Sequence, residues 1–288
     1  MRLKSNIKVS GFTLVEMLIS MTLGLIITAG LVKVYQSNNQ LLTYNYALSN
    51  IQQDGRYIIS ALRQSLLPVG RYNEFSANLD RNIDVDMEAT YIRAHSIVLE
   101  ADYDVDPTLG SKEGADEAPD TLFINIMANR ACTGSNFDFA VDAEFHVVNE
   151  YYTEDNTLRC RGHDGRYLRG LKANGANGQS VTLMENVYDF QVMYGISLPI
   201  GNTETGMVTS WVTAARLAEF VEADGSIPVV ALKIAVLIKN DDEIALGQTR
   251  NLKLLGHDAF IPDDDGLYRV FETVILMRNA WNNVIAGG

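Results

Sequence analysis

From Phe12 to Val32 the chain runs for 21 residues with a single charge, Glu16, and from Met17 to Val32 it carries none. A helix of about 20 apolar residues crosses the hydrocarbon of a bilayer, so this stretch is long enough to span one. It also takes one end of the chain out of any ordinary globular core. Ahead of it, Arg2, Lys4 and Lys8 are the charges of an acid-free leader, the kind of flank that stays on the cytoplasmic side of an inserted helix. A secretory signal peptide has the same basic flank and apolar run. Such a peptide ends in a small-x-small cleavage site, whereas Thr28-Ala29-Gly30 passes here into further helix-like sequence, so a retained anchor is the better reading. An anchor alone leaves Glu16 without a purpose. A carboxylate in a membrane helix costs roughly 2.5 to 3.5 kcal/mol on insertion scales, which calls for a partner.

The residues around that acid carry a resemblance. Gly11-Phe12-Thr13-Leu14-Val15-Glu16, followed by an unbroken apolar helix, is similar to the type III signal of type IV pilins and pseudopilins. The resemblance implies cleavage between Gly11 and Phe12 by a membrane prepilin peptidase, N-methylation of Phe12, and loss of residues 1–11 as a leader. It further implies that residues 12–35 stay as membrane anchor and later as filament core. In a bundle of apolar helices the Glu16 carboxylate can pair with the new α-amino group of a neighbouring subunit. That pairing offsets two desolvation costs and fixes axial register, a use of buried charge better suited to specificity than to stability.

Beyond Lys33 the pattern turns amphipathic: Leu41, Tyr44, Leu48, Ile51, Ile58 and Leu62 form one helical stripe. Residues 36–67 are therefore expected to continue the helix, to about 80 Å in all if Phe12–Leu67 is unbroken. Pro68 and Gly70 end it, and Gly24, Gly30 and Gly55 are weak points within it. Lys33 stands where pilin helices often carry a proline. Gln53-Asp54-Gly55-Arg56-Tyr57, with Leu67-Pro68-Val69-Gly70-Arg71-Tyr72, resembles the helix end of PilW-type minor pilins, and residues 265–279 resemble their C-terminal strand.

Alternation of apolar and polar residues predicts strands at His95–Ala101, Thr121–Ala128, Glu144–Thr153, Val187–Leu198, Val229–Lys239 and Tyr268–Met277, with a short helix over Trp211–Glu222. In the fifth strand Val230, Leu232, Ile234, Val236 and Ile238 share one face while Lys233 and Lys239 take the other, the pattern of a half-buried sheet. The expected fold is α+β: a long N-terminal transmembrane and amphipathic helix packed on an antiparallel β-sheet head, the lollipop of type IV pilins. Residues 68–288 form the periplasmic or extracellular head.

Thirty-six acids face 23 basic residues, and loss of the leader's three basic residues takes the net charge from −13 to −16. Residues 12–35 sum to zero through Glu16 and Lys33, so all of that charge lies outside the membrane. Such a surface repels phosphate and argues against nucleic acid as a partner, leaving proteins or divalent cations. Arg159, Arg161, Arg166, Arg169 and Lys172 are the one basic run a DNA-binding head could use; a sheet-edge charge cluster is the plainer reading. Asp102, Asp104, Asp106 and Glu113 stand at positions one, three, five and twelve of a calcium-loop spacing. Pro107 takes the sixth position, where the turn normally needs glycine, so a solvated acidic loop competes with a calcium site. Asp263-Asp264-Asp265-Gly266 reads as a turn before the last strand. Cys132 and Cys160 lie in the exported part, where thiols are oxidised, and a disulfide between them would close a loop of 29 residues. His95, His146, His163 and His257 form no metal motif. Trp211 and Trp281 read as packing residues, and no nucleophile–base pairing or phosphate-binding loop argues for an enzyme or a further cofactor.

The resemblance to PilW-type proteins thus implies a structural role. The chain would prime pilus assembly and sit in a tip complex with other minor pilins, the major pilin and a large tip adhesin, after dealing with the prepilin peptidase and an inner-membrane assembly platform. It would be single-pass in the bacterial inner membrane before assembly and at the pilus tip afterwards. A minor pseudopilin of a type II secretion system, a pilus-borne ligand- or DNA-binding module, and a membrane-anchored enzyme are the other classes, the last resting only on chain size.

Overall fold

A computed structural model describes residues 11–115, 118–175, 178–199, 206–224, 227–240, 251–255, 259–262, 264 and 266–279. Residues 1–10, which belong to the expected leader, lie outside these described residues, as do His257, Trp281, Asp263 and Asp265. The chain divides into two units, Met1–Leu48 and Ser49–Gly288. Helix α1 (Leu14–Leu66) supplies the described part of the first unit beyond Thr13 and the opening element of the second. It passes Gly24, Gly30, Lys33 and Gly55 as α-helix throughout.

In the first unit the apolar side chains from Phe12 to Tyr35 are exposed, as the anchor reading requires of a helix whose solvent is lipid or other helices. In the second unit the stripe turns inward, and Ile51, Ile58, Leu62 and Leu66 are fully buried. Gly55 shows how close the approach is: a Cβ there would lie 2.2 Å from Cζ of Phe271, so only glycine lets the helix backbone rest on that ring. After Leu66 the chain turns at Pro68, and Gly70, at φ +70°, donates its N–H to Asn125 O at 2.9 Å.

The head holds two four-stranded antiparallel sheets. The first is a meander, β1 (Leu122–Ala128), β2 (Phe145–Glu154), β3 (Thr157–Asp164) and β4 (Ser180–Glu185), in that order. Asp155 and Asn156, at φ +50° and +54°, form the two-residue turn between β2 and β3; both tolerate the left-handed region that such hairpins need. The second sheet has the order β10-β7-β5-β6, with β5 (Val187–Ile196), β6 (Ser210–Val212), β7 (Val229–Lys239) and β10 (Tyr268–Leu276). Between β4 and β5 only Asn186 intervenes. Its carbonyl accepts the Lys239 N–H at 3.0 Å, while Val187 donates to Asn156 O at 2.8 Å, so the two sheets are tied at one corner. A small ribbon, β8 (Leu252–Lys253) with β9 (Ala259–Phe260), and helices α2 (Val85–Ala94), α3 (Gly165–Leu168) and α4 (Ala214–Asp224) complete the described elements.

Several expectations need correction. His95–Ala101 is not a strand. It runs along β1, with Val98 N–H on Phe123 O and Asn125 N–H on Ser96 O, but the Asp102 carboxylate takes the Leu99 N–H at 2.7 Å and Ser111 takes the Val98 carbonyl. The ladder stops at one bridge, Ile97 to Ile124. Trp211 lies in β6, paired with Gly195, and the helix begins only at Ala214. Strand β7 is covered on both faces: Ala235 and Leu237 are buried with Leu254 beneath Tyr188, Leu252 and Phe260, so only Lys233 and Lys239 are half-buried.

Candidate functional site

Gly11 and Phe12 precede α1 and both are exposed, Phe12 by 83%. A Cβ at Gly11 would meet nothing within 4 Å, so the packing of this chain does not demand glycine at that position. Thr13 caps the helix: its Oγ1 accepts the Glu16 N–H at 3.3 Å and its carbonyl accepts the Met17 N–H at 3.2 Å. Thr13-x-x-Glu16 is the spacing of a capping box, and Glu16 also lies in the first turn, where the helix dipole favours an anion. The first-turn position therefore gives the acid a local role, through the helix dipole, beside the pairing role expected of it. That signal was readable in the sequence.

In the head, Cys132 and Cys160 form a disulfide. Cys160 on β3 is fully buried, and the Cys132 N–H donates to Asn149 Oδ1 on β2 at 3.0 Å, so the bridge clamps the β1–β2 connection onto the first sheet.

The four carboxylates of the calcium spacing are not brought together. Asp102 Oδ2 accepts from Leu99 N–H, and burial pushes its carboxyl up from the usual range despite that bond and nearby His95. Asp106 Oδ1 accepts from the Thr108 N–H and hydroxyl at 3.2 and 2.7 Å, which hold its carboxyl below the usual range. Asp104 is exposed, and Glu113 lies on a separate turn closed by the Lys112–Thr121 bonds. Among the described residues no group of three or more His, Cys, Asp or Glu side chains is arranged to hold a metal ion.

The basic run is spent on partners within the chain, and only Arg166 is buried. Arg159 pairs with Glu154 at 2.7 Å, Arg161 with Glu150 at 3.3 Å, and Lys172 with Asp164 at 2.8 Å, while Arg169 lies over the Tyr91 ring at 4.0 Å. Arg166, 3% exposed, is the centre of a buried ionic network. Its Nε and Nη2 donate to the two carboxylate oxygens of Glu88 at 2.8 and 3.0 Å, and Nη1 donates to Asp80 Oδ1 at 2.6 Å. Nη2 also reaches the Asp80 carbonyl at 2.7 Å, and Tyr72 Oη donates to Glu88 Oε2 at 3.0 Å. Burial would raise the Asp80 carboxyl, but Arg166 and Asn82 hold it below the usual range. These bonds fasten α2 and the segment before it to the end of β3. Phosphate oxygens find no cluster of unpaired guanidinium groups in this run.

The sequence signal for the network was an acid in an apolar stripe: Val85, Glu88, Ala89 and Ile92 share one face of α2, whose N-cap Asp84 accepts the Asp86 and Met87 N–H groups. His146 is another buried polar group. Its Nε2 is 2.8 Å from Asn125 Oδ1, which also accepts from Tyr103 Oη, and burial with nearby Arg169 and Arg166 holds the imidazole well below its usual pKa.

Residues 144–279 match the family model for Type IV Pilus-assembly protein W, and residues 7–32 match that of the prokaryotic N-terminal methylation motif. The first match covers β2 through β10 and the second covers residues 7–11 and the apolar half of α1. Among curated protein sequences none matches the chain. Among solved structures it is similar to a type IV-like pilin from Thermus thermophilus, at 12% identity over 80% of this chain and 96% of that one, with a TM-score of 0.39. The two family matches together support a PilW-type minor pilin with a prepilin-type N-terminal signal, the PilW family being structural rather than catalytic.

Proposed function

We propose that this minor pilin primes type IV pilus assembly and then sits in the tip complex with other minor pilins and a tip adhesin. The observation that carries the reading is the coincidence, in one chain, of the PilW match over the head with the methylation motif on an exposed apolar helix. In this account residues 1–11 leave when the prepilin peptidase hydrolyses the Gly11–Phe12 amide, and the freed amine of Phe12 is methylated. Residues 12–35 hold the subunit in the inner membrane with its head outside the cytoplasm, and 36–67 carry the helix into the head formed by 68–288. Glu16 then meets the α-amino group of a neighbouring subunit, where each charge removes the other's desolvation cost and a slip in register leaves both unpaired.

The test is a pair of strains. A chromosomal Glu16→Ala strain should keep the protein in the membrane fraction and lose it from sheared pili. A deletion strain should show few or no surface pili. Normal pilus number and retraction in the deletion strain contradict the priming role, and normal incorporation of the Glu16 variant contradicts the pairing.

A further inference from the structure

We propose that the edge of β10 that no described strand pairs is a strand-addition site for an extended segment of a partner protein, aliphatic at alternate positions and carrying an acidic side chain. Strand β10 is the outer strand of the second sheet and pairs with β7 over nine residues without a slip in register. Two bonds that flank it fix the direction of its backbone groups: Met277 donates to Val230 O at 2.9 Å, and Asn240 donates to Leu267 O at 2.9 Å. Antiparallel alternation then turns the odd-numbered residues toward β7 and the even-numbered ones outward. The N–H and C=O groups of Val270, Glu272, Val274 and Leu276 therefore point away from the sheet, and no described residue bonds them.

An outward ladder of this kind is satisfied by water or by another strand. Sheet edges that must stay single are blunted by proline, bulges, lysines or brevity. Strand β10 has no proline, bulge or lysine and is nine residues long; its exposed charges, Arg269 and Glu272, lie before its last outward residues, Val274 and Leu276, which are 44% and 63% exposed. The other described edges of the two sheets differ: β1 is bordered by residues 96–98, with an Ile97–Ile124 bridge and the Val98 N–H on Phe123 O. Strand β6 has three residues, and β4 pairs with β3 through a register shift at Leu158/Arg159.

The end of β10 adds a pocket. An apolar recess of about 520 Å³ is lined by Met207, Val208, Val230, Leu276, Met277 and the exposed Arg278. Main-chain bonding along an edge supplies affinity, and side-chain pockets beside it supply choice. The ladder dictates an extended occupant, the recess takes an aliphatic side chain, and Arg278, which no described carboxylate pairs, selects an acid. This inference does not depend on the assembly role proposed above, because the edge and recess are features of the head alone.

The test uses the full chain in detergent micelles and a fluorescein-labelled peptide of alternating valine and threonine ending in an aspartate. A second peptide carries N-methyl groups on alternate amides, which blocks one edge of its backbone. Saturable anisotropy changes are expected with the first peptide, with binding about tenfold weaker or worse for the methylated one. Val274→Pro removes an outward N–H and no bond to β7, so it should weaken binding about as much without moving the unfolding temperature. Should that variant unfold early, the methylated peptide on the unaltered chain decides. Arg278→Glu should weaken binding in a salt-dependent way. The proposal is overturned by absence of binding at millimolar peptide, or by equal binding of the methylated peptide. It is also overturned if the unaltered chain alone pairs through β10 into a dimer that Val274→Pro abolishes, since the occupant would then be a second copy.

Discussion

Glu88→Gln keeps the shape of a fully buried side chain and removes its charge, which makes it a sharp probe of how the head is held together. In the native structure Glu88 accepts two bonds from Arg166 and one from Tyr72. An amide presents one oxygen and one NH₂, so one of the two Arg166 bonds becomes donor against donor. The guanidinium, 3% exposed, then has only Asp80 to neutralise it. Breaking a buried pair while leaving the other charge in place costs about 3 to 5 kcal/mol, and the surviving Asp80 contact places this case near the lower bound, about 3 kcal/mol. For a cooperative unit the size of the head, about 2 to 4 °C in Tm accompany each kcal/mol, so Tm should fall by about 6 to 12 °C. Circular dichroism melts of the full chain in detergent read this directly. The double variant Glu88→Gln/Arg166→Met should melt above Glu88→Gln alone, because the unpaired buried cation is gone. A loss of less than about 1 kcal/mol in the single variant, or simple addition of losses in the double, would refute the reasoning.

Three other perturbations test separate parts of the head. Replacing Cys132 and Cys160 together with serine releases a crosslink of sequence separation 28 and should cost about 3 to 4 kcal/mol on the chain-entropy estimate, read as a lower urea midpoint. Gly55→Ala forces a methyl into the Phe271 ring and should cost about 1 to 3 kcal/mol, with much of the loss recovered by Phe271→Leu; a neutral Gly55→Ala would mean that α1 does not rest on β10 as described. His146 stays neutral in the fold while the unfolded chain binds a proton near pH 6.5, so the unfolded state holds more protons and stability falls as pH drops through that value. The slope approaches about 1.4 kcal/mol per pH unit for one proton, and His146→Gln should flatten the dependence of the urea midpoint between pH 7.5 and 5.5.

Much of this fold was readable along the chain because the signals were local. The helix announces itself by sixteen uncharged residues and an i, i+3, i+4 stripe, and Val229–Lys239 alternates so regularly that its strand bounds match those read from sequence. Strand β3 is not among the strands expected from the sequence, although Leu158, Cys160 and Gly162 alternate with Arg159, Arg161 and His163; the sheet-edge charge cluster expected there is this strand's polar side. Each of those charges has its partner on another element, and that pairing is set by topology. Glu88 and Arg166, 78 residues apart, illustrate the limit, since only the turn of β3 into α3 brings the guanidinium under α2. The calcium spacing failed for the opposite reason: Asp102 and Asp106 spend their oxygens on neighbours two or three residues away, a competition that spacing alone does not weigh.

At the N-terminus the residue types are informative without any fold, because in the proposed account their requirement comes from what acts on the chain. A Cβ at Gly11 would meet nothing, Phe12 is exposed, and Glu16 lies in the first turn of the helix with its backbone N–H on the Thr13 cap. Mass spectrometry of the N-terminal peptide, from protein isolated from membranes and from sheared pili, addresses the central claim most directly. The account predicts a mature chain beginning with N-methylated Phe12 in both fractions. An intact Met1, or a new terminus created after Gly30, would contradict it.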